Sequence, residues 1–262
     1  MTWLRIRAVA RRHAYVLVRS PHRLFDVVLW PLVDVLLFGS IGVFVARQAT
    51  PARLAAAYLL AGILLWHVLY QSQIALATGF LEETWSRNLL SLFVTPIREV
   101  EYVAGVALFG MVKLVMGLTV VIVTAVGFYA FDVSRVTLAI VPIVALLLIV
   151  GWLIALFVVG LTLRFGSGAE AMAWGILFVV LPLSGVFYPV AALPRVLRPV
   201  AFVLPTTHAF KAGRTLFLGG GTRWDELGLA AVETVVLAVV VLAFLTRMLS
   251  LFRRRGYISR YT

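Results

Sequence analysis

A succession of long apolar runs, nearly free of charge, limits this chain more than any other feature. An α-helix rises about 1.5 Å per residue and the hydrocarbon of a bilayer is about 30 Å thick, so about 20 apolar residues cross it. Six runs meet that measure: 24–46, 56–79, 103–131, 136–163, 170–188 and 226–249. The third and fourth exceed it and are expected to tilt or protrude. Lipid offers no hydrogen-bond partners, so each spanning backbone must satisfy itself, which a helix does. The reading is an all-α polytopic membrane protein with six transmembrane helices. Composition agrees: 63% of the 262 residues are hydrophobic and 13% are charged, against about 45–50% and about 25% in soluble domains.

Six crossings place both termini on one side. Lys113 and Lys211 are the only lysines among 23 basic residues. Arg5, Arg7, Arg11, Arg12, Arg19 and Arg23 precede the first run. Arg87, Arg98 and Arg164 fall in the connections on the same side, and Arg247, Arg253, Arg254, Arg255 and Arg260 follow the last run. They outnumber Arg47, Arg53, Arg135, Arg195, Arg198, Lys211, Arg214 and Arg223 on the other side, so both termini are expected in the cytoplasm. The net charge of +12 therefore reads as topology and headgroup contact. A nucleic-acid partner is not expected, since no soluble domain is there to carry it. The chain has no cysteine, which excludes disulfides and thiolate chemistry. The first twenty residues are basic and lack the apolar core of a cleavable leader.

Three segments outside the runs have patterns of their own. In residues 3–19, Trp3, Ile6, Val9, Ala10, Val16 and Leu17 share one side and the arginines the other. The pattern predicts an amphipathic helix in the interface, making 1–23 an interfacial cytoplasmic unit before the membrane domain 24–249. Residues 250–262 read as a basic cytoplasmic tail. Between the second and third runs lies "EETWSRNLLSLFVTPIREVE", 82–101. A helix over about 85–95 puts Trp85, Leu89, Leu90, Leu92, Phe93 and Val94 on one arc and Arg87, Asn88, Ser91 and Thr95 opposite. Pro96 stops it. Residues 189–225 are too broken by Pro189, Pro194, Pro199 and Pro205 to be one span and too apolar for an ordinary loop. They are predicted to be a helical hairpin re-entering the outer leaflet, because irregular backbone at that depth survives only against protein or water.

Enzymatic signatures are missing. No phosphate-binding G-x-x-x-x-G-K-[ST] loop, zinc-binding H-E-x-x-H or G-x-S-x-G elbow occurs. His13, His22, His67 and His208 stand singly, and no metal site is expected. Four ionisable residues fall inside the runs: Asp34, His67, Lys113 and Glu233. Each is costly in lipid. They read either as inter-helix partners, Lys113 with Asp34 or Glu233, or as a polar substrate path. Gly39, Ser40 and Gly42 permit close helix approach, within one chain or between two copies. Trp30, Trp66, Trp152 and Trp174 are either interfacial anchors or the lining of a path.

The chain resembles the permease subunits of type-2 ABC exporters, the group that exports nodulation factors, daunorubicin-type drugs and polysaccharides. The resemblance rests on the basic helix before six runs, and on Glu83, Leu89, Leu92, Thr95 and Pro96 of the charged insert. It also rests on "LPLSGVFYPVAALPRVLRPVAFVLPTTHAFKAGR", which is similar to the family's S-G-h-h-[FY]-P…L-P…P-x-T-H…R segment. The matching residues there are Ser184, Gly185, Tyr188, Pro189, Leu193, Pro194, Pro205, Thr207, His208 and Arg214. The resemblance implies a transport subunit without its own ATP site or cofactor, in the bacterial cytoplasmic membrane. A second permease copy and two cytoplasmic ATPase subunits holding ATP and Mg would complete it, with membrane lipid around. It makes the insert the coupling helix, with Arg87, Asn88, Leu89, Ser91, Leu92 and Phe93 as the contacts, and the cargo an amphipathic lipid-linked saccharide, lipid or drug. A stand-alone proton-coupled transporter and a multi-pass enzyme acting on lipids are the alternatives.

Overall fold

The computed structural model describes residues 3–48, 52–85, 95–132 and 138–255, and among these there are helices, turns and bends but no strand. In chain order the helices are α1 (Trp3–Val18), α2 (Pro21–Gln48), α3 (Ala52–Trp85), α4 (Glu99–Tyr129), α5 (Ile140–Phe165), α6 (Glu170–Leu183), α7 (Arg198–Phe202), α8 (Pro205–Phe217) and α9 (Trp224–Arg255). The arginines at 253–255, assigned above to a tail, continue α9.

Five of these helices, α2, α3, α4, α5 and α9, are long and apolar enough to cross a membrane. The run at 170–188 differs. Its helix, α6, has 14 residues and a length of about 21 Å, short of the hydrocarbon thickness. Pro182 removes a donor in its last turn, and the chain breaks at Ser184 and Gly185. Gly185 has φ +62, a left-handed conformation that suits glycine.

α3 is the axis of the bundle. In its most apolar stretch 94% of residues are buried, against 22–50% in the other four long helices. Its polar residues His67, Gln71, Ser72 and Gln73 are buried along with its apolar ones, as on a helix covered on all sides. α2, α4, α5 and α8 pack around it. Leu60, Leu65 and Leu69 of α3 meet Ile143 and Leu147 of α5 and Phe210 of α8 in the main core. Small residues set the approach of the helices: Gly110 of α4 faces Ala75 of α3, and Gly151 of α5 leaves room for Ser72. Gly39 is covered by the Tyr129 ring of α4 and Gly42 by Ala56 of α3. The small-residue pair of α2 thus serves packing within the chain.

α1 buries Ile6, Val9, His13 and Leu17, a stripe at helical spacing. Val9 packs with Leu76, Leu81, Tyr102 and Val106. Gly105 of α4 makes this possible, since a Cβ there would lie 2.6 Å from the Val9 Cβ. The stripe expected to face lipid therefore faces α3 and α4. Trp3, at 62% exposure, stays outside it.

Candidate functional site

The end of the bundle that carries α1 is held by ion pairs between residues far apart in sequence. Glu83 near the end of α3 is buried, and Arg12 of α1 grips it with two hydrogen bonds of 2.6 and 3.0 Å. Glu101 in the first turn of α4 is equally buried and accepts from Arg5 at 3.3 Å and from the backbone N–H of Arg98 at 3.0 Å. Arg23 of α2 reaches Glu82 at 2.5 Å. A buried carboxylate is costly unless paired, so these contacts hold both ends of the 86–98 connection against α1 and α2. None of these pairs was foreseen from the sequence. The available signal was the cluster of acids at 82–83 and 99–101 on the side assigned to the basic N-terminal helix. Arg87, Asn88, Leu89, Ser91, Leu92 and Phe93, the contacts that the resemblance implies for a coupling helix, lie outside the described residues.

Above this layer a cleft of about 320 Å³ opens between α1, α2, α3, α4 and α6. Lys113, Asp26, Trp30, Tyr70, Trp85 and Trp174 are among the residues that line it. The Lys113 ammonium lies 5.8 Å from the centre of the Phe109 ring. His13 closes one wall, stacked on Phe109. Burial holds its pKa below the ordinary 6.5 against the opposing pull of Glu82 and Glu83.

The four intramembrane ionisable residues do not converge. Lys113 pairs with neither Asp34 nor Glu233 and belongs to the cleft. Asp34 is half-buried on α2. His67 is buried with Nε2 unpartnered, in a space that Gly117 of α4 provides. Glu233 of α9 faces His208 at 3.5 Å. Of the four tryptophans, Trp30 and Trp174 line the cleft. Trp66 packs against Tyr70, and Trp152 lies on the core around Leu76 and Val158.

The opposite end of the bundle carries the motif 184–214, which folds into one polar network. The Ser184 and Thr206 hydroxyls are 2.5 Å apart. The Tyr188 hydroxyl donates to the Pro182 carbonyl at 3.1 Å, closing the turn that Pro189 ends. Pro205 occupies the first turn of α8, where its missing N–H costs nothing, and Thr207 donates to the Ala201 carbonyl at 2.6 Å. Leu193 is buried beneath Arg198, which donates to the Leu193 carbonyl at 2.9 Å. Pro194 accepts the N–H of Leu197. Arg214, buried, donates to the carbonyls of Gly185 and Val186 and stacks 4.5 Å from the Tyr58 ring of α3. The turn rests directly on Gly62, since a Cβ there would strike the Val186 carbonyl.

His208 is the junction of this network with α9. Its Nδ1 is 2.7 Å from Glu226 and its Nε2 is 3.0 Å from the Phe202 carbonyl. Both partners are acceptors, so both ring nitrogens carry hydrogen and the ring is a cation. Glu226 also accepts from Lys211 at 2.5 Å and Arg223 at 3.3 Å. Burial alone would depress the His208 pKa. The Glu226 hydrogen bond, the Phe202 carbonyl and the charges of Glu233 and Glu226 outweigh it and hold the pKa above 6.5. The sequence motif marked these positions without showing Glu226 as their common partner.

The family model described as ABC-2 type transporter matches residues 4–218, from α1 through α8. No curated protein matches the chain.

Proposed function

The chain belongs to the ABC-2 type transporter family, and from that premise we propose that it is the permease subunit of an ATP-binding-cassette exporter, paired with a second copy and driven by two cytoplasmic ATPase subunits. ATP and Mg belong to those partners, and this chain supplies the path. α2, α3, α4, α5, α6 and α9 make six crossings in the bacterial cytoplasmic membrane, with both termini and the α1 end in the cytoplasm, where the basic residues concentrate. α1 lies at the cytoplasmic interface. The short α6 stops inside the outer leaflet, and α7 and α8 re-enter beside it and fill the remaining depth. Support for re-entry comes from α8, which has eleven of its thirteen residues buried although seven of those eleven are polar or small. The cargo is an amphipathic lipid-linked saccharide, lipid or drug.

The observation that carries this reading is the clamped connection between α3 and α4. Glu83 and Glu101, at its two ends, are fixed to α1. A segment moved by an ATPase must be tied to the bundle at both ends to transmit that motion. A proton-coupled transporter acting alone is not favoured, since Lys113, Asp34 and Glu233 sit in separate places.

The test is a charge on the coupling helix. Burying a large apolar side chain contributes about 1.5–3 kcal/mol, so Leu92→Glu or Phe93→Glu should break a small interface. Either change is expected to leave the bundle folded in detergent and to abolish ATPase co-purification or cargo-stimulated ATP hydrolysis. Gly221→Glu, at an open position on the opposite end, is expected to do neither. Normal coupling in both helix variants would refute the assignment.

A further inference from the structure

We infer that the cleft between α1, α2, α3, α4 and α6 is a headgroup site for a zwitterionic phospholipid, one with a phosphodiester beside an ammonium. The inference rests on the permease reading and narrows its cargo.

The first argument is charge. The acid Glu82 is answered by Arg23 at 2.5 Å and faces His13 at 4.0 Å. Two charges of opposite sign are left on the cleft wall. Lys113 and Asp26 make no hydrogen bond or ion pair among the described residues, with each other or with anything else. An ammonium in an apolar wall is costly without a counter-ion, and a phosphodiester oxygen would supply one. Asp26, exposed on the first turns of α2, is an acceptor for an ammonium. A single anion would satisfy Lys113 and repel Asp26, and a single cation would do the reverse. A ligand with both signs satisfies both.

The second argument is the walls. Trp30, Trp85 and Trp174, each 41–55% exposed, and Tyr70 present rings to the same cleft from α2, α3 and α6. Aromatic faces attract ammonium groups, quaternary ones especially. The third is depth. Lys113 shares the cleft with Arg23, Glu82 and His13, the charged layer beside α1. The cleft therefore runs from that charged layer to Lys113, which lies fourteen residues and about 21 Å into α4. A lipid could place its headgroup there with its chains still in the bilayer.

The experiment is native mass spectrometry of the full chain in a nonionic detergent. The probes are equimolar dioleoyl-phosphatidylcholine, dioleoyl-phosphatidylglycerol and dodecyltrimethylammonium. The wild-type chain is expected to retain the phosphatidylcholine over the other two by about tenfold, the weight of one ion pair. Asp26→Asn, which leaves the lysine, should move the preference to phosphatidylglycerol. Lys113→Gln, which leaves the aspartate, should move it to the ammonium amphiphile. A merely structural role would not send the two variants in opposite directions. If Lys113→Gln does not fold, Asp26→Asn and the charge-keeping Lys113→Arg carry the test. Equal retention of the three probes, or an unchanged order in the variants, overturns the headgroup site. The measurement needs no ATPase, so a failure here leaves the permease assignment standing, and loss of ATPase coupling elsewhere leaves this result standing.

Discussion

At the scale of single residues, the structure turns on a few close approaches that admit no side chain. Gly62 is the sharpest. It lies ten residues into α3, about 15 Å from the start of that helix, and its hydrogen faces the Val186 carbonyl. The turn at 185–188 can only reach this depth because nothing projects from position 62. Gly62→Ala is therefore expected to push the turn outward and to cost about 1–3 kcal/mol, as overpacking does. The change should lower the thermal midpoint in detergent. Gly175 on α6 meets nothing within 4 Å, and Gly175→Ala should be neutral or slightly stabilising because alanine favours a helix. Equal effects of the two changes would contradict the seating of the turn on α3.

At the scale of elements, α8 and α9 are joined by charges rather than by apolar surface alone. The cationic His208 of α8 faces Glu226 and Glu233 of α9, while Lys211 and Arg223 share Glu226 and Asp225 is taken by Arg223. The folded-state pKa of His208 is raised above 6.5. A group raised on folding binds its proton more tightly in the native state, so its stabilising contribution is complete below pH 6.5 and is lost as pH climbs through the higher folded value. Protection of α8 amides against hydrogen exchange should accordingly fall as pH rises through that interval, after correction for intrinsic exchange. His208→Gln should remove this part of the pH dependence. A profile identical in the wild-type and His208→Gln chains would show that the ring is not the cation holding the two helices together.

At the scale of the whole molecule, the question is how many times the chain crosses. Five helices are long enough without help, and α6 is not. The turn that follows it rests on Gly62 of α3 through Val186, and its first turn lies near Gln73, whose amide donates to the Ala173 carbonyl at 3.0 Å. α6 thus runs along the middle of α3 towards the end where Tyr58 meets Arg214. With no cysteine in the chain, single cysteines give a clean test. Ser91→Cys and Ser259→Cys are expected to react with a membrane-impermeant maleimide only from the cytoplasmic side. Thr50→Cys and Gly221→Cys should react only from outside. Reaction of Ser91→Cys and Ser259→Cys from different sides would mean an odd number of crossings after the insert and would remove α6 from the count.

What the sequence determined by itself is what depends on local pattern. Insertion into lipid is decided run by run, so α2, α3, α4, α5 and α9 were legible from hydropathy and length. The stripe of α1 was legible for the same reason, as was the break of the 189–225 segment at its prolines. The tertiary structure decided what those surfaces meet. The α1 stripe faces α4 because Gly105 admits Val9, a pairing between positions almost a hundred residues apart that no local period encodes. The sequence left Lys113 with Asp34 or Glu233 as candidate partners. Packing instead put Glu233 against His208 and left Lys113 in the cleft, since a charge in a membrane protein pairs with whatever the helix angles bring near. The motif at 184–214 stood out as residues, and only the fold showed that Arg214, Ser184 and His208 act by holding a turn, a buried helix and α9 together. The reason is physical: hydropathy is a property of a segment against its solvent, whereas a buried polar contact is a property of two segments at once.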